Sequence, residues 1–110
     1  MLNNINIDDD AINNGKWFKL GKTKLKIAHV SSRRFKKAVS EKTKDGVISV
    51  NDACKAMAEG VLLDWKSVKH IDGRNVMYTV DMATYALLTN AMLREFVEKI
   101  SADFKNFEGV

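Results

Sequence analysis

The sequence predicts an α+β fold, mostly α, in which an N-terminal β-hairpin packs on three to four helices. Two short runs of alternating polar and apolar residues flank a glycine near position 21, as in a hairpin. Further along the chain, apolar residues recur at helical spacing behind serine, threonine and asparagine caps. With 110 residues, of which 45% are hydrophobic, the chain is long enough to form one core without disulfide or metal staples.

The hairpin is predicted from the runs 16–20 and 24–30, which Gly21-Lys22-Thr23 separates. In the second run lysines alternate with an apolar face that carries Leu25, Ile27 and His29. Because an isolated hairpin is marginal in water, this face must pack on helices. Residues 1–14 are polar and acidic and are predicted to form a flexible N-terminal arm, whereas residues 15–110 are predicted to form a single domain.

Four helical segments are predicted, over about 32–43, 49–65, 79–89 and 90–107. Asp-Gly pairs at 45–46 and 72–73 predict turns between them. The apolar stripe is clearest in the last segment, where its members are Leu93, Phe96, Val97, Ile100, Phe104 and Phe107. Gly60 interrupts the second segment, and we expect another element to pack closely there.

The formal net charge of +4 is unevenly distributed along the chain. Residues 16–44 contain 11 cations and one carboxylate, while residues 1–15 and 45–110 are both mildly acidic. A basic third of this kind indicates nucleic acid, an acidic protein partner or a solvated lysine-rich face, and alternate lysines also protect a strand edge. The candidate partner-binding residues are four cations near the start of a predicted helix, Arg33, Arg34, Lys36 and Lys37.

Nothing in the sequence matches a common catalytic or metal-binding pattern. The only cysteine, Cys54, lies on an apolar helical stripe and cannot form an intrachain disulfide, so we expect a buried thiol and a reducing compartment. Its separation from His29 and His70 argues against a cysteine–histidine nucleophile. No phosphate-binding loop, signal-peptide pattern or membrane-spanning run is present in these residues. We therefore expect a protein that is not an enzyme and has no cofactor, metal or membrane partner.

Two sets of residues suggest binding instead. Trp17, Phe18 and Phe35 lie among the cations of the basic segment, a combination that nucleic-acid modules use, although the same aromatics also suit a core. A methionine set suits adaptable contacts, but its spacing favours core packing; its members are Met57, Met77, Met82 and Met92.

The region from 61 to 79 contains an aliphatic run ending in Asp64-Trp65, then Val68, the Asp72-Gly73 turn, and Tyr78 before a helix cap. This order resembles a motif of the tail assembly chaperones of long-tailed bacteriophages. We interpret Trp65 and Tyr78 as residues that anchor the turn segment to the core, and we predict neither of them to be a binding contact.

Other parts of the chain are similar to the same family, so that the resemblance spans about residues 15–107. They are the strand Lys24 to Ala28, the pair Arg34-Phe35 and the closing Asn106-Phe107. The chain departs from the family pattern where prolines are frequent. This chain has no proline, and Met77 and Ser31-Ser32 occupy the positions near which the family often has one.

The resemblance implies a chaperone made in the cytoplasm of the host bacterium and not expected in the mature virion. The implied partners are the tape measure protein, the tail tube protein and a longer frameshifted form of the chain itself. Nucleic acid is not expected among them. Two other classes stay open: a small structural virion protein of the head–tail or tail-terminus kind, and a basic nucleic-acid-binding regulator.

Overall fold

A computed structural model describes residues 7–109 and confirms the α+β class. The described residues form three strands, five α-helices and a terminal 3-10 helix, in the order α1 (Asp9–Asn14), β1 (Lys16–Leu20), β2 (Thr23–Ile27), α2 (Arg33–Lys42), α3 (Val50–Gly60), β3 (Leu62–Lys66), α4 (Val80–Thr89), α5 (Ala91–Ala102) and the 3-10 helix (Phe104–Phe107). This is more helices than the three to four predicted.

The sheet is antiparallel, with β2 between β1 and β3. Gly21 and Lys22 form the two-residue turn between β1 and β2, which confirms the predicted hairpin. Along β2, Leu25 lies opposite Phe18 on one side and opposite Trp65 on the other. The inner face of the sheet buries its apolar residues against the helices; they include Leu25, Ile27, Leu62 and Trp65.

Strand β3 corrects the prediction of one continuous helix over 49–65. Helix α3 ends at Gly60, and the backbone N–H of Val61 closes it by donating to the carbonyl of Met57 at 2.8 Å. The following residues pair with the free edge of β2 and bury Leu62 and Trp65. A short apolar run fits a buried helix or a strand equally well, and here the unpaired hydrogen-bonding edge of β2 decides in favour of the strand.

Helix α1 lies in the segment for which we expected a flexible arm. The Asp8 carboxylate accepts a hydrogen bond from the backbone N–H of Ala11 at 3.0 Å, and two further aspartates in the first turn suit the helix dipole. Ala11 and Ile12 are buried in the core, so residues 9–14 pack on the rest of the protein. Residues 1–6, the remainder of the predicted arm, lie outside the described residues.

Helices α2 and α3 make their closest approach at Gly60, which confirms the expected close packing. The Ser32 hydroxyl caps α2 by accepting from the backbone N–H of Phe35, and it donates to the carbonyl of Gly60 at 3.0 Å. A Cβ placed on Gly60 would lie 2.8 Å from the Cβ of Phe35 and closer still to its backbone. Glycine is therefore required here by space.

The C-terminal stripe does not form one helix as predicted. Helix α5 ends at Ala102, and Asp103 adopts an extended conformation whose carboxylate caps the 3-10 helix at the N–H of Lys105. The break turns Phe107 into the core, where it is 1% exposed, and leaves Phe104 55% exposed. The Phe104 ring stacks on buried His29 with centroids 3.9 Å apart.

Candidate functional site

The four candidate residues, Arg33, Arg34, Lys36 and Lys37, lie together on the exposed side of α2. The first turn of α2 is fastened to α1 by two hydrogen bonds. The backbone N–H of Arg33 donates to Asn13 Oδ1 at 3.0 Å, and the guanidinium of Arg34 donates to Asn14 Oδ1 at 3.3 Å. The arrangement is a solvent-exposed cationic ridge on a helix that begins with no acidic residue in its first turn.

A second basic surface covers the side of the sheet that faces away from the helices. We call it the outer sheet face, and its residues are Trp17, Lys19, Lys24, Lys26, Asp64 and Lys66. The strand register places Lys24 directly opposite Lys19 on one side and directly opposite Lys66 on the other. The hairpin lysines were evident in the sequence, but Lys66 was missed because the residues directly before it, 62–65, were assigned to the end of a helix and not to a strand. The in–out alternation of residues 64–66 is the signal that could have found it.

The outer sheet face is positively charged and carries one exposed aromatic ring. Trp17 is 40% exposed, and the ammonium of Lys66 lies 4.5 Å from the centroid of its indole. Asp64 is the one carboxylate on this face, and its Oδ1 accepts from the backbone N–H of Trp65 at 2.8 Å. Among the described residues no ion pair joins Asp64 to a lysine. Between residues 7 and 109, none of the four lysines on this face has a carboxylate partner in an ion pair.

An open apolar cleft of about 430 Å³ lies on the opposite side of the sheet, between the hairpin turn, the 68–76 segment and helices α4 and α5. Leu25, Trp65 and Leu93 form part of its lining, while Tyr85 and Met92 lie at its mouth and are 62% and 67% exposed. No carboxylate occurs among the described residues that line it, although a lysine and a histidine do. The cleft therefore suits apolar side chains, with a preference for negative charge at its rim.

Hydrogen bonds from Trp65 and Tyr78 fasten the segment between β3 and α4, part of which lines the cleft, to the core. The Trp65 indole N–H donates to the carbonyl of Val76 at 2.8 Å, and the Tyr78 hydroxyl lies 2.7 Å from the carbonyl oxygens of both Ala58 and Leu62. Burial, assisted by the negative charge of Asp64, raises the pKa of Tyr78 to about 12. These contacts confirm the interpretation that the two aromatics anchor the turn segment to the core.

The methionine set divides between different places. Met82 and Met92 line the cleft, Met57 packs partly buried against the core, and Met77 is 81% exposed away from the cleft. The spacing predicted core packing for the set, and the structure confirms this for Met57 and Met82, although Met82 also lines the cleft. The prediction is wrong for Met77 and Met92, which are exposed.

The residues with the greatest chemical reactivity are scattered. Cys54 is 2% exposed, and burial raises the pKa of its thiol. His29 is buried while His70 is exposed on a separate turn. Within residues 7–109 no three histidine, cysteine or acidic side chains converge as metal ligands would. In the same range, every helix is too short or too polar to span a bilayer.

Fold and surface together define a small α+β protein with a basic sheet face on one side and an apolar cleft on the other. The chain belongs to the YdaY prophage protein family, whose family model matches residues 23–109. The matched range includes α2, the two strands β2 and β3, and all of the cleft lining except Leu20. Family membership confirms the expected phage origin. Neither the curated proteins nor the solved structures gave a match to the chain.

Proposed function

We propose that this protein is a tail assembly chaperone that binds and solubilises the tape measure protein and helps recruit tail tube subunits to it. Three observations support the proposal: the prophage family, the resemblance of residues 15–107 to tail assembly chaperones, and the apolar cleft. The cleft carries most weight, because a protein that shields a long amphipathic helix needs an open apolar surface of its own.

The cleft fits a helix-in-groove mode of binding. A volume of about 430 Å³ accommodates several side chains from one face of a helix, at i, i+3, i+4 and i+7 spacing. Aromatic and methionine side chains are enriched at interfaces, and the flexible thioether of Met92 adapts to varied sequences. A chaperone that meets many different segments of one long partner benefits from both properties.

Contact of this size is modest, which suits an assembly factor. Several copies along one tape measure protein give a large combined shielding, while each copy remains displaceable by a tube subunit. The cationic ridge of α2 would steer acidic segments of the partner toward the cleft, and this steering weakens with salt.

The same proposal places the protein in the host cytoplasm during assembly and excludes it from the finished virion. The unpaired, buried thiol of Cys54 supports a reducing compartment. The proposal includes a longer frameshifted form of the chain as a further partner, because members of the resembled family often have one.

The test is co-expression with the longest helical protein encoded beside this one, followed by a pull-down. Met92→Asp places a carboxylate at the cleft mouth and is expected to lower copurification at least tenfold. Met77→Asp is the matched control, because Met77 is at least as exposed as Met92 but lies outside the cleft. The partner becoming soluble with the wild type and with M77D, but not with M92D, supports the proposal.

A second variant tests the steering by α2. Reversal of charge at Arg33, Arg34, Lys36 and Lys37 should slow or weaken tape measure binding at low salt and have less effect at high salt. Insoluble partner with every variant, wild type included, contradicts the proposal. Recovery of the protein in purified phage particles contradicts it in another way and favours the small structural virion protein.

A further inference from the structure

We propose that the outer sheet face binds single-stranded nucleic acid without regard to base sequence. The inference concerns the surface formed by Trp17, Lys19, Lys24, Lys26 and Lys66, on the opposite side of the sheet from the cleft. It is independent of the chaperone proposal, because it uses none of the residues at the cleft mouth.

Strand order removes the simplest alternative explanation for two of these four lysines, since only Lys19 and Lys66 lie on edge strands. Lysines protect an edge strand from pairing with another chain, and that would account for their alternation in the sequence. However, Lys24 and Lys26 lie on β2, which is the central strand and has both edges paired. Edge protection therefore does not explain them.

The lysine positions also oppose the stability of the sheet. Lys24 faces Lys19 across one strand boundary and Lys66 across the other, and like charges directly opposite one another destabilise an antiparallel pair. The single carboxylate of the face, Asp64, lies in the next cross-strand row, opposite Lys26. A bound anion would relieve this repulsion, so the arrangement favours a polyanionic ligand.

The exposed indole distinguishes nucleic acid from an acidic polypeptide. Proteins that bind single strands combine lysines along the backbone path with aromatic rings on which bases stack. Trp17 supplies such a ring among the lysines, and its partner at present is the ammonium of Lys66, 4.5 Å from the centroid. A base that stacks on Trp17 would displace this ammonium toward a phosphate. An acidic peptide has no flat ring with which to use the indole in this way.

The lysines have a spacing and a chemistry that suit phosphates. Side chains two residues apart on one strand are about 6.7 Å apart, and those on neighbouring strands about 4.8 Å. All four cations are lysines, which act as point charges and do not grip one anion in the bidentate manner of arginine. Such a surface would follow a phosphate backbone with little selectivity and with strong salt dependence.

The experiment is a fluorescence anisotropy titration of the full chain into a labelled oligothymidylate of about 15 nucleotides, over a salt series. Four phosphate contacts predict a loss of affinity of about 50-fold between about 50 and 200 mM salt. Lys24→Gln combined with Lys66→Gln should reduce that loss to about 7-fold. Lys36→Gln combined with Lys37→Gln removes the same charge from α2 and should leave the salt dependence unchanged.

Trp17 is tested separately, because it contributes stacking and not charge. Trp17→Ala should weaken binding at least 5-fold at every salt concentration, whereas Trp17→Phe, which keeps a flat ring, should retain most of the affinity. Thermal unfolding of each variant verifies that the fold is intact.

Three results would overturn the inference. They are absence of binding at the lowest salt concentration, equal weakening by the α2 pair, and equally tight binding of a polyglutamate of the same length with no effect of Trp17→Ala. The last result would assign the face to an acidic polypeptide. None of them bears on the chaperone proposal, whose pull-down depends on Met92.

Discussion

Replacing Tyr78 by phenylalanine should destabilise the protein, because it removes the one hydroxyl donor that two carbonyl groups far from it in sequence share. The Tyr78 hydroxyl lies 2.7 Å from the carbonyl of Ala58, in the last turn of α3, and 2.7 Å from that of Leu62, at the start of β3. The last carbonyls of a helix lack the partner that a further turn would supply, and for Ala58 the Tyr78 hydroxyl takes that place. The hydroxyl therefore joins the segment before α4 to the end of α3 and the start of β3.

The expected loss of unfolding free energy for Tyr78→Phe is about 2 kcal/mol, because a buried acceptor that loses its donor costs about 1–3 kcal/mol. In a chain of this size that corresponds to a fall in melting temperature of roughly 10 °C. The measurement is urea unfolding followed by far-ultraviolet circular dichroism. Tyr85→Phe is the matched control, since Tyr85 is 62% exposed at the cleft mouth, and it should change stability by less than about 0.5 kcal/mol.

The raised pKa of Tyr78 provides an independent readout. Because its pKa of about 12 in the folded protein exceeds the value of about 10 for an unfolded chain, the folded state holds the proton more tightly. The contribution of this pKa difference to the free energy of unfolding is fully present below about pH 10 and is lost as the pH rises toward 12. Tyr78→Phe should lose less stability than the wild type over that range. If the two tyrosine variants unfold alike in urea and at alkaline pH, the assigned role of the hydroxyl is wrong.

Two further predictions concern packing and acid stability. Gly60→Ala should lower the free energy of unfolding by about 3 kcal/mol or more, because the added methyl group would overlap the backbone of Phe35. The control is Gly21→Ala, at an open turn with φ of +61°, which should lower it by only about 1 kcal/mol in the same urea assay. Burial lowers the pKa of His29, so stability should fall as the pH drops below about 6.5, where the unfolded chain binds the proton more readily. His29→Asn should flatten the dependence of stability on pH between neutral pH and about pH 5, whereas His70→Asn, at an exposed turn, should not. If the slope of stability against pH is unchanged in His29→Asn, the assignment of this dependence to His29 is wrong.

Local signals in the sequence were sufficient for the starts of the four predicted helices and for the hairpin. Serine, threonine and asparagine caps were predicted for four helices, and Ser32, Ser49, Thr79 and Asn90 each accept a backbone N–H at a helix start. The hairpin turn and the turn at Asp45-Gly46 also lie where predicted. Caps and turns are satisfied by residues within a few positions of one another, and this is why a single sequence reveals them.

The mistaken assignments all depended on distant contacts. The run from Leu62 to Lys66 became a strand because the edge of β2 was available, and the stripe of α5 broke at Asp103 because Phe107 had a place in the core. Residues 9–14 form a helix whose burial rests on contacts that include the hydrogen bond from the N–H of His29 to the carbonyl of Ile12. None of these partners is near in sequence, so periodicity alone could not identify them.

The functional surfaces also depend partly on local sequence and partly on distant contacts. The sequence by itself determined that residues 16–44 are strongly basic and that Arg33, Arg34, Lys36 and Lys37 share one helix, because charge and helical spacing are local properties. Only the tertiary structure placed Lys66 beside the hairpin lysines and formed the cleft from three separate parts of the chain. Strand pairing joins residues more than 40 positions apart, and a groove exists only where elements meet without filling the space between them.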